Sequence, residues 1–233
     1  MNKEQFIIET NKLGINISDD TLKKLDKYYQ LLIEENKKYN LTALTEESQV
    51  YLKHFYDSLC IIKIINLNNQ YLLDIGTGAG FPGMVLKIVF PNLKIDLLDS
   101  TNKKCQFLKM VINKLELKNI SVINDRAEEY SKDNREKYDI VTSRAVAPLK
   151  HLLEYSIPTL KINGNFISLK SNIEPELKNI KNYYNKLYLS NEEIVEYKLP
   201  YEESLRTLYK VTKKKETPVI YPRMYSQIKK KDI

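Results

Sequence analysis

Hydrophobic positions along the chain change their period near residue 70. Before that point they recur at helical spacing. From Ser18 the segment SDDTLKKLDKYYQLLIEENKKYN sets Leu22, Leu25, Tyr28, Tyr29, Leu32 and Ile33 on one face, behind a serine N-cap and two first-turn acids. A second helical pattern runs over roughly 46–65, after the connector YNLTALT, and no strand-like run precedes Tyr71. Residues 1–68 therefore predict a small helical region placed ahead of a different architecture.

After Tyr71 short apolar runs alternate with helical ones. The strand-like runs are YLLDI (71–75), KIDLLD (94–99), ISVIN (120–124), YDIVTS (138–143) and NFISLK (165–170). Between them lie PGMVLKIVF with Pro82 at the first helical position, TNKKCQFLKMVINKL with a threonine cap, the short AEEYSK, and PLKHLLEYSIPTLK. Strand and helix in alternation require right-handed crossovers and a mostly parallel sheet covered on both faces, an α/β fold. Two further strands are predicted near 188–197 and 205–211, paired as an antiparallel edge. The sheet domain spans 69–212, and residues 213–233 form a tail.

Composition narrows the class. The 233 residues are 42% hydrophobic, enough to bury a core, and Gly and Pro number only 6 and 8, too few for a wholly disordered chain. No apolar run approaches the roughly 20 residues of a membrane span, and MNKEQFIIET lacks the regions of a signal peptide, so a cytoplasmic protein with no membrane partner is expected. Cys60 and Cys105 lie in helical segments without partners at metal-ligand spacing and predict buried, reduced thiols. His54 and Asp57 share a helix face, but neither His151 nor another side chain completes a ligand set, so no metal is expected. His54, Asp57 and Ser58 are instead expected to turn toward a cleft and tie the helices to the sheet. Asn40 and Thr42 are expected to form a turn and cap.

The charge of +7 is unevenly distributed. Residues 205–233 carry nine Lys or Arg against two acids, so the rest of the chain is neutral. Such a stretch fits phosphate neutralisation on a nucleic acid, and fits equally a solvated lysine-rich tail. On the first alternative, Lys213, Lys214, Lys215 and Arg223 are the expected RNA contacts.

The candidate chemistry sits in YLLDIGTGAGFPG (71–83), at the end of the first strand, where glycines let backbone approach a ligand. The stretch can be read in two registers. Starting at Gly78 it matches a dinucleotide fingerprint, but two residues late relative to the strand, with Pro82 where the pyrophosphate needs free N–H groups. Starting at Gly76 it follows Asp74, a carboxylate suited to an α-ammonium group and repulsive to a pyrophosphate. No Gly-Lys-Ser/Thr closes the loop, which excludes a P-loop. Asp99 ends the next strand, 23 positions after Gly76, placed to accept from both ribose hydroxyls of an adenosine. Gly76, Gly78, Asp74 and Asp99 together favour S-adenosylmethionine.

The blocks YNLTALTE (39–46), HFYDSL (54–59), LLDIGTGAGFPG (72–83), LLDSTNKK (97–104), RAEEY (126–130), TSRAVAPL (142–149) and KKETPVIYPR (214–223) span nearly the whole chain. In that order they resemble the bacterial small-subunit ribosomal RNA guanine-N7 methyltransferases, the RsmG or GidB family. Past YPR the tail reads MYSQIKKKDI, where family tails continue with Gly and Pro.

The resemblance implies a Rossmann-like class I S-adenosylmethionine-dependent methyltransferase sheet with an N-terminal helical extension. It implies methyl transfer to N7 of one guanine in 16S rRNA near the decoding site, with the rRNA or the small ribosomal subunit as partner; a monomer is expected. By the same analogy Gly76, Phe81, Ala127, Glu128 and Arg144 meet the cofactor. Arg144 holds either the cofactor carboxylate or guanine O6 and a phosphate, uses that both suit a guanidinium fork. No general base is expected, because guanine N7 carries a lone pair and no proton; orientation and water exclusion supply the rate. A methyltransferase for another RNA site, or a non-catalytic RNA-binding protein on the same fold, remain the alternatives.

Overall fold

A computed structural model describes residues 1–178 and 180–233. The chain opens with α1 (Lys3–Lys12) and α2 (Asp19–Tyr39). Hydrophobic spacing did not reveal α1, although Asn2 and Gln5 form a capping box: Asn2 Oδ1 accepts from Gln5 N at 2.8 Å and Gln5 Oε1 from Asn2 N at 2.9 Å. The predicted Ser18 cap is present, with Oγ accepting from Thr21 N, and α2 ends on Asn40 in the left-handed region at φ 50°. The predicted second helix is a composite of α3 (Glu47–Val50), a π segment (Tyr51–Tyr56), α4 (Asp57–Leu59) and a 3-10 turn (Cys60–Lys63).

The remaining elements are β1 (Tyr71–Ile75), α5 (Gly83–Val89), β2 (Lys94–Asp99), α6 (Asn102–Lys114), β3 (Ile120–Asn124), α7 (Ala127–Asp133), β4 (Tyr138–Arg144) and α8 (Leu149–Ser156). Then come β5 (Leu160–Lys170), α9 (Glu174–Leu177), α10 (Lys181–Leu187), β6 (Glu193–Lys198), β7 (Leu205–Thr212) and α11 (Tyr225–Lys230). The strands form one sheet in the order β3-β2-β1-β4-β5-β7-β6. Its first five members are parallel, and β7 and β6 add the predicted antiparallel edge. Pro82 precedes α5 rather than entering it, and Thr101 caps α6 without a side-chain bond. β5 starts at Leu160, inside the predicted helix, because Pro158 has no N–H to continue that helix.

Side-chain alternation divides the core between two faces. Leu72, Leu97 and Ile140 pack with the N-terminal helices, α5 and α6; Leu73, Leu98 and Val141 pack with α7, α8, α10 and α11. The N-terminal helices and the sheet thus share one continuous core, with Phe6 and Leu25 in the same cluster as Leu72 and Met84. Cys60 and Cys105 are buried and free, and burial pushes both thiols up. Among the described residues no helix is long and apolar enough to cross a membrane.

Candidate active site

The strand order reverses about β1, which lies between β2 and β4, and the site forms where these strands end. After Ile75 the chain turns sharply: Gly76, Gly78 and Gly80 have φ of 64°, 62° and 108°, a region open to glycine. Gly76 N and Thr77 N both donate to Leu98 O, at 2.8 and 3.1 Å, so the loop is bound to the end of β2. The hydroxyl of Tyr28, fully buried on α2, donates to Ala79 O and lies 2.5 Å from where a Cβ on Gly80 would stand. A helix of the N-terminal region therefore closes the back of the glycine loop.

In front of the loop is a cleft of about 600 Å³ whose lining includes Gly76, Asp99, Ala127, Glu128, His151 and Tyr225. Asp99 accepts from Gly78 N at 2.9 Å on one oxygen and from Thr101 N at 2.8 Å on the other. Each oxygen keeps a second lone pair, so the carboxylate can still accept from a diol. Ala127 and Glu128 open α7, where first-turn N–H groups have no intrahelical acceptor and can meet an adenine edge. Glu128 is buried and paired with Arg126, whose guanidinium lies over the Tyr225 ring at 4.6 Å. Half-buried glycine backbone, a carboxylate with free lone pairs and free amides are the chemistry an adenosine-bearing sulfonium ligand requires, and these residues fit S-adenosylmethionine.

Of the other residues expected at the cofactor, Gly78, Asp74, Phe81 and Arg144 do not line this cleft; Gly78 spends its N–H on Asp99. Asp74 was expected at an α-ammonium group, but it is fully buried beneath the loop: Oδ2 accepts from Thr77 Oγ1 at 2.6 Å and Gly83 N at 2.8 Å. Its Oδ1 has no hydrogen-bond partner among the described residues, and burial raises the carboxyl to about 7. Asp74 is thus the buckle of the glycine loop. Phe81, also buried, stacks on His54 at 4.2 Å between centroids, with the Arg144 guanidinium 5.2 Å from its ring.

Arg144 turns away from the cleft, drawn by Asp57. Its Nη1 donates to Lys53 O at 2.8 Å and Asp57 Oδ2 at 3.1 Å, and its Nη2 to His54 Nδ1 at 3.1 Å. Asp57 also accepts from Tyr197 Oη at 2.7 Å. A guanidinium has no acceptor, so His54 carries its proton on Nε2 and donates it to Thr42 Oγ1 at 2.9 Å. Burial, then the neighbouring Arg144 charge, lower the imidazole to about 3. His54 and Asp57 tie the helices to the sheet through Arg144, but neither they nor Ser58 line the cleft toward which they were expected to turn. Ser58 only bonds back to His54 O within its own helix. Tyr28, Tyr197 and Thr42 carried no signal beyond an apolar face, an edge strand and a turn.

Two expected RNA contacts are corrected. Lys213 is fully buried, donating to Leu160 O at 2.8 Å and lying 3.1 Å from Glu136, because it follows β7 and its backbone bonds to Asn163 and Gly164 of β5. Arg223 is bound to buried Glu154 by Nε and Nη2, both at 2.7 Å. Lys214 and Lys215 are exposed as expected.

The family model described as rRNA small subunit methyltransferase G (GidB) matches residues 21–208, which hold the loop, the Arg144 cluster and the cleft lining apart from Tyr225 and Lys229. The chain belongs to the rRNA small subunit methyltransferase G family. Members similar to it include that of Mesoplasma florum, 48% identical over 96% of this chain and 94% of that protein. The one from Acetivibrio thermocellus is 46% identical over 90% of this chain and 88% of that protein. Among solved structures the fold resembles a SAM dependent methyltransferase from Aquifex aeolicus, with TM-score 0.53 and 16% identity, covering 74% of this chain and 97% of that one. It also resembles M. jannaschii TYW2 in complex with AdoMet, with TM-score 0.53 and 15% identity over 68% of this chain and 74% of that one. At such identity the likeness establishes the fold, a class I methyltransferase sheet; the family match carries the rest.

Proposed function

We propose that this chain methylates N7 of one guanine of 16S rRNA, near the decoding site, with S-adenosylmethionine as methyl donor. The observation that carries this reading is the family match lying over the cleft at the reversal of strand order. When bound, the cofactor supplies an electrophilic methyl group on a sulfonium. Gly76 offers it backbone, Asp99 accepts from the ribose hydroxyls, and the Ala127 and Glu128 amides meet the adenine. Arg144 acts as a positioning residue, holding Phe81 and the N-terminal helices against the back of the glycine loop. The three carboxylates that line the cleft are engaged: Asp99 by two amides, Glu128 by Arg126, and Asp125 by Arg126 N at 2.7 Å. That arrangement suits an acceptor such as guanine N7, which has no proton to lose.

The helical region (1–68), the sheet (69–212) and the segment 213–233 divide the work between shaping the loop, holding the cofactor and meeting RNA. The enzyme acts as a monomer in the cytoplasm, where its rRNA substrate is. Purified protein incubated with small-subunit particles should create an N7-methylguanine detectable as borohydride and aniline cleavage of 16S rRNA. A methylated base that resists this cleavage would transfer the reading to another RNA position or atom.

A further inference from the structure

The segment Thr217–Met224 exposes the three most accessible large apolar side chains of the described residues, Val219, Ile220 and Met224, at 87%, 66% and 63%. Val219 and Ile220 are the two central residues of a tight turn closed by Tyr221 N donating to Pro218 O at 3.0 Å. Central turn positions ordinarily hold Gly, Pro, Asn, Asp or Ser, and two large aliphatics there gain nothing from the fold.

The turn is nevertheless firmly mounted. Arg135 grips both of its shoulders, donating to Thr217 O and to Tyr221 O at 2.7 Å. Thr217, Tyr221 and Pro222 are buried, and the Arg223–Glu154 pair locks the exit. Beyond it α11 brings Tyr225 and Lys229 to the cleft. Along the chain exposed cations lie on both sides of the tip, Lys214 and Lys215 before it and Lys229, Lys230 and Lys231 after, outnumbering the exposed acids Glu216 and Asp232.

We infer that Val219 and Ile220 form an apolar wedge that docks an unstacked base of the RNA substrate while the flanking lysines hold its phosphates. This deepens the rRNA reading above and rests on it. The charge around the tip favours a polyanion over a second copy of this chain, and RNA loops present splayed bases that aliphatic side chains can cover. Lys213 and Arg223 then mount the wedge instead of touching RNA.

The test compares wild type with the double variant Val219→Ser and Ile220→Ser, whose positions are solvent-exposed. The Kd for protein-free 16S rRNA and the KM for small-subunit particles should both rise about tenfold. S-adenosylhomocysteine affinity, Tm and the salt slope of RNA binding should stay as in wild type. The variant Lys214→Gln and Lys215→Gln should instead flatten that slope, by about 0.7 for each phosphate that is no longer neutralised. An unchanged rRNA Kd overturns the inference; if the particle KM alone rises, the tip meets a ribosomal protein. A wild-type dimer that the serine variant dissociates overturns it too. Failure of the underlying reading looks different, since wild type would then transfer no methyl group to the particles.

Discussion

Arg144 Nη2 and His54 Nδ1, 3.1 Å apart, join the end of the central strand β4 to the N-terminal helices. The bond sets the imidazole tautomer, and through the stack of His54 on Phe81 it supports the loop that faces the cofactor. A double-mutant cycle with Arg144→Gln and His54→Gln, followed by denaturant unfolding, should return a coupling of about 0.5–3 kcal/mol. Additive effects would mean the two side chains are neighbours without energetic consequence.

His54 and Asp74 should oppose each other in the pH dependence of stability. The folded imidazole sits at about 3, below its ordinary 6.5, so its contribution is present above 6.5 and lost as pH falls toward 3. The folded Asp74 carboxyl sits at about 7, above its ordinary 3.8, so its effect runs the other way: stability falls as pH rises from 3.8 to 7. Between roughly pH 4 and 6.5 the slopes largely cancel. Relative to wild type, His54→Gln should make stability fall more steeply with rising pH, by about 1.4 kcal/mol per unit, and Asp74→Asn should do the reverse. Chemical denaturation across that window measures both, and parallel profiles for all three proteins would refute the assignment.

Asp99→Ala removes the acceptor at the end of β2 and also releases the amides of Gly78 and Thr101. S-adenosylhomocysteine affinity by calorimetry should drop about 10- to 100-fold, the value of hydrogen bonds to a charged group. A Kd within twofold of wild type would remove Asp99 from the cofactor site.

Gly76 has no room for a side chain. A Cβ there would meet Val146 Cγ2 at 2.5 Å, on backbone already in the left-handed region. Gly76→Ala should lower Tm and cofactor affinity, and adding Val146→Ala should recover part of both losses, leaving the backbone strain of about 1–3 kcal/mol. No recovery would mean that the loop and the 145–148 turn do not communicate.

If methyl transfer needs no base, its single-turnover rate on saturated particles should be flat between about pH 6 and 8.5. A sigmoid with a midpoint near a histidine would instead point to His151, the imidazole at the edge of the cleft.

Sequence periodicity was sufficient for the five parallel strands, the antiparallel edge and α2, because pleat and helix impose local repeats that one buried face makes visible. Gly76 and Asp99, which the structure brings to one cleft, were legible as a turn at a strand end and an acid at the next strand end, local signals tied to a common topology; Ala127 and Glu128, which line the same cleft, entered only through the family resemblance. α1 escaped because Phe6 is the one apolar side chain it buries, which leaves no periodic apolar face, and the start of β5 escaped because Pro158 acts after an apolar run that suits either structure. Only the tertiary structure decided what the charged residues do. Asp74 became a buried buckle, Arg144 turned to Asp57 and His54, and Lys213 and Arg223 became internal partners of Glu136 and Glu154. A charge is legible along the chain, but its destination depends on which counter-charge the fold brings within a few ångströms, here from positions as far apart as Asp57 and Arg144. The glycine loop obeys the same division: its turn is local, and Tyr28, which closes it, comes from 51 residues away.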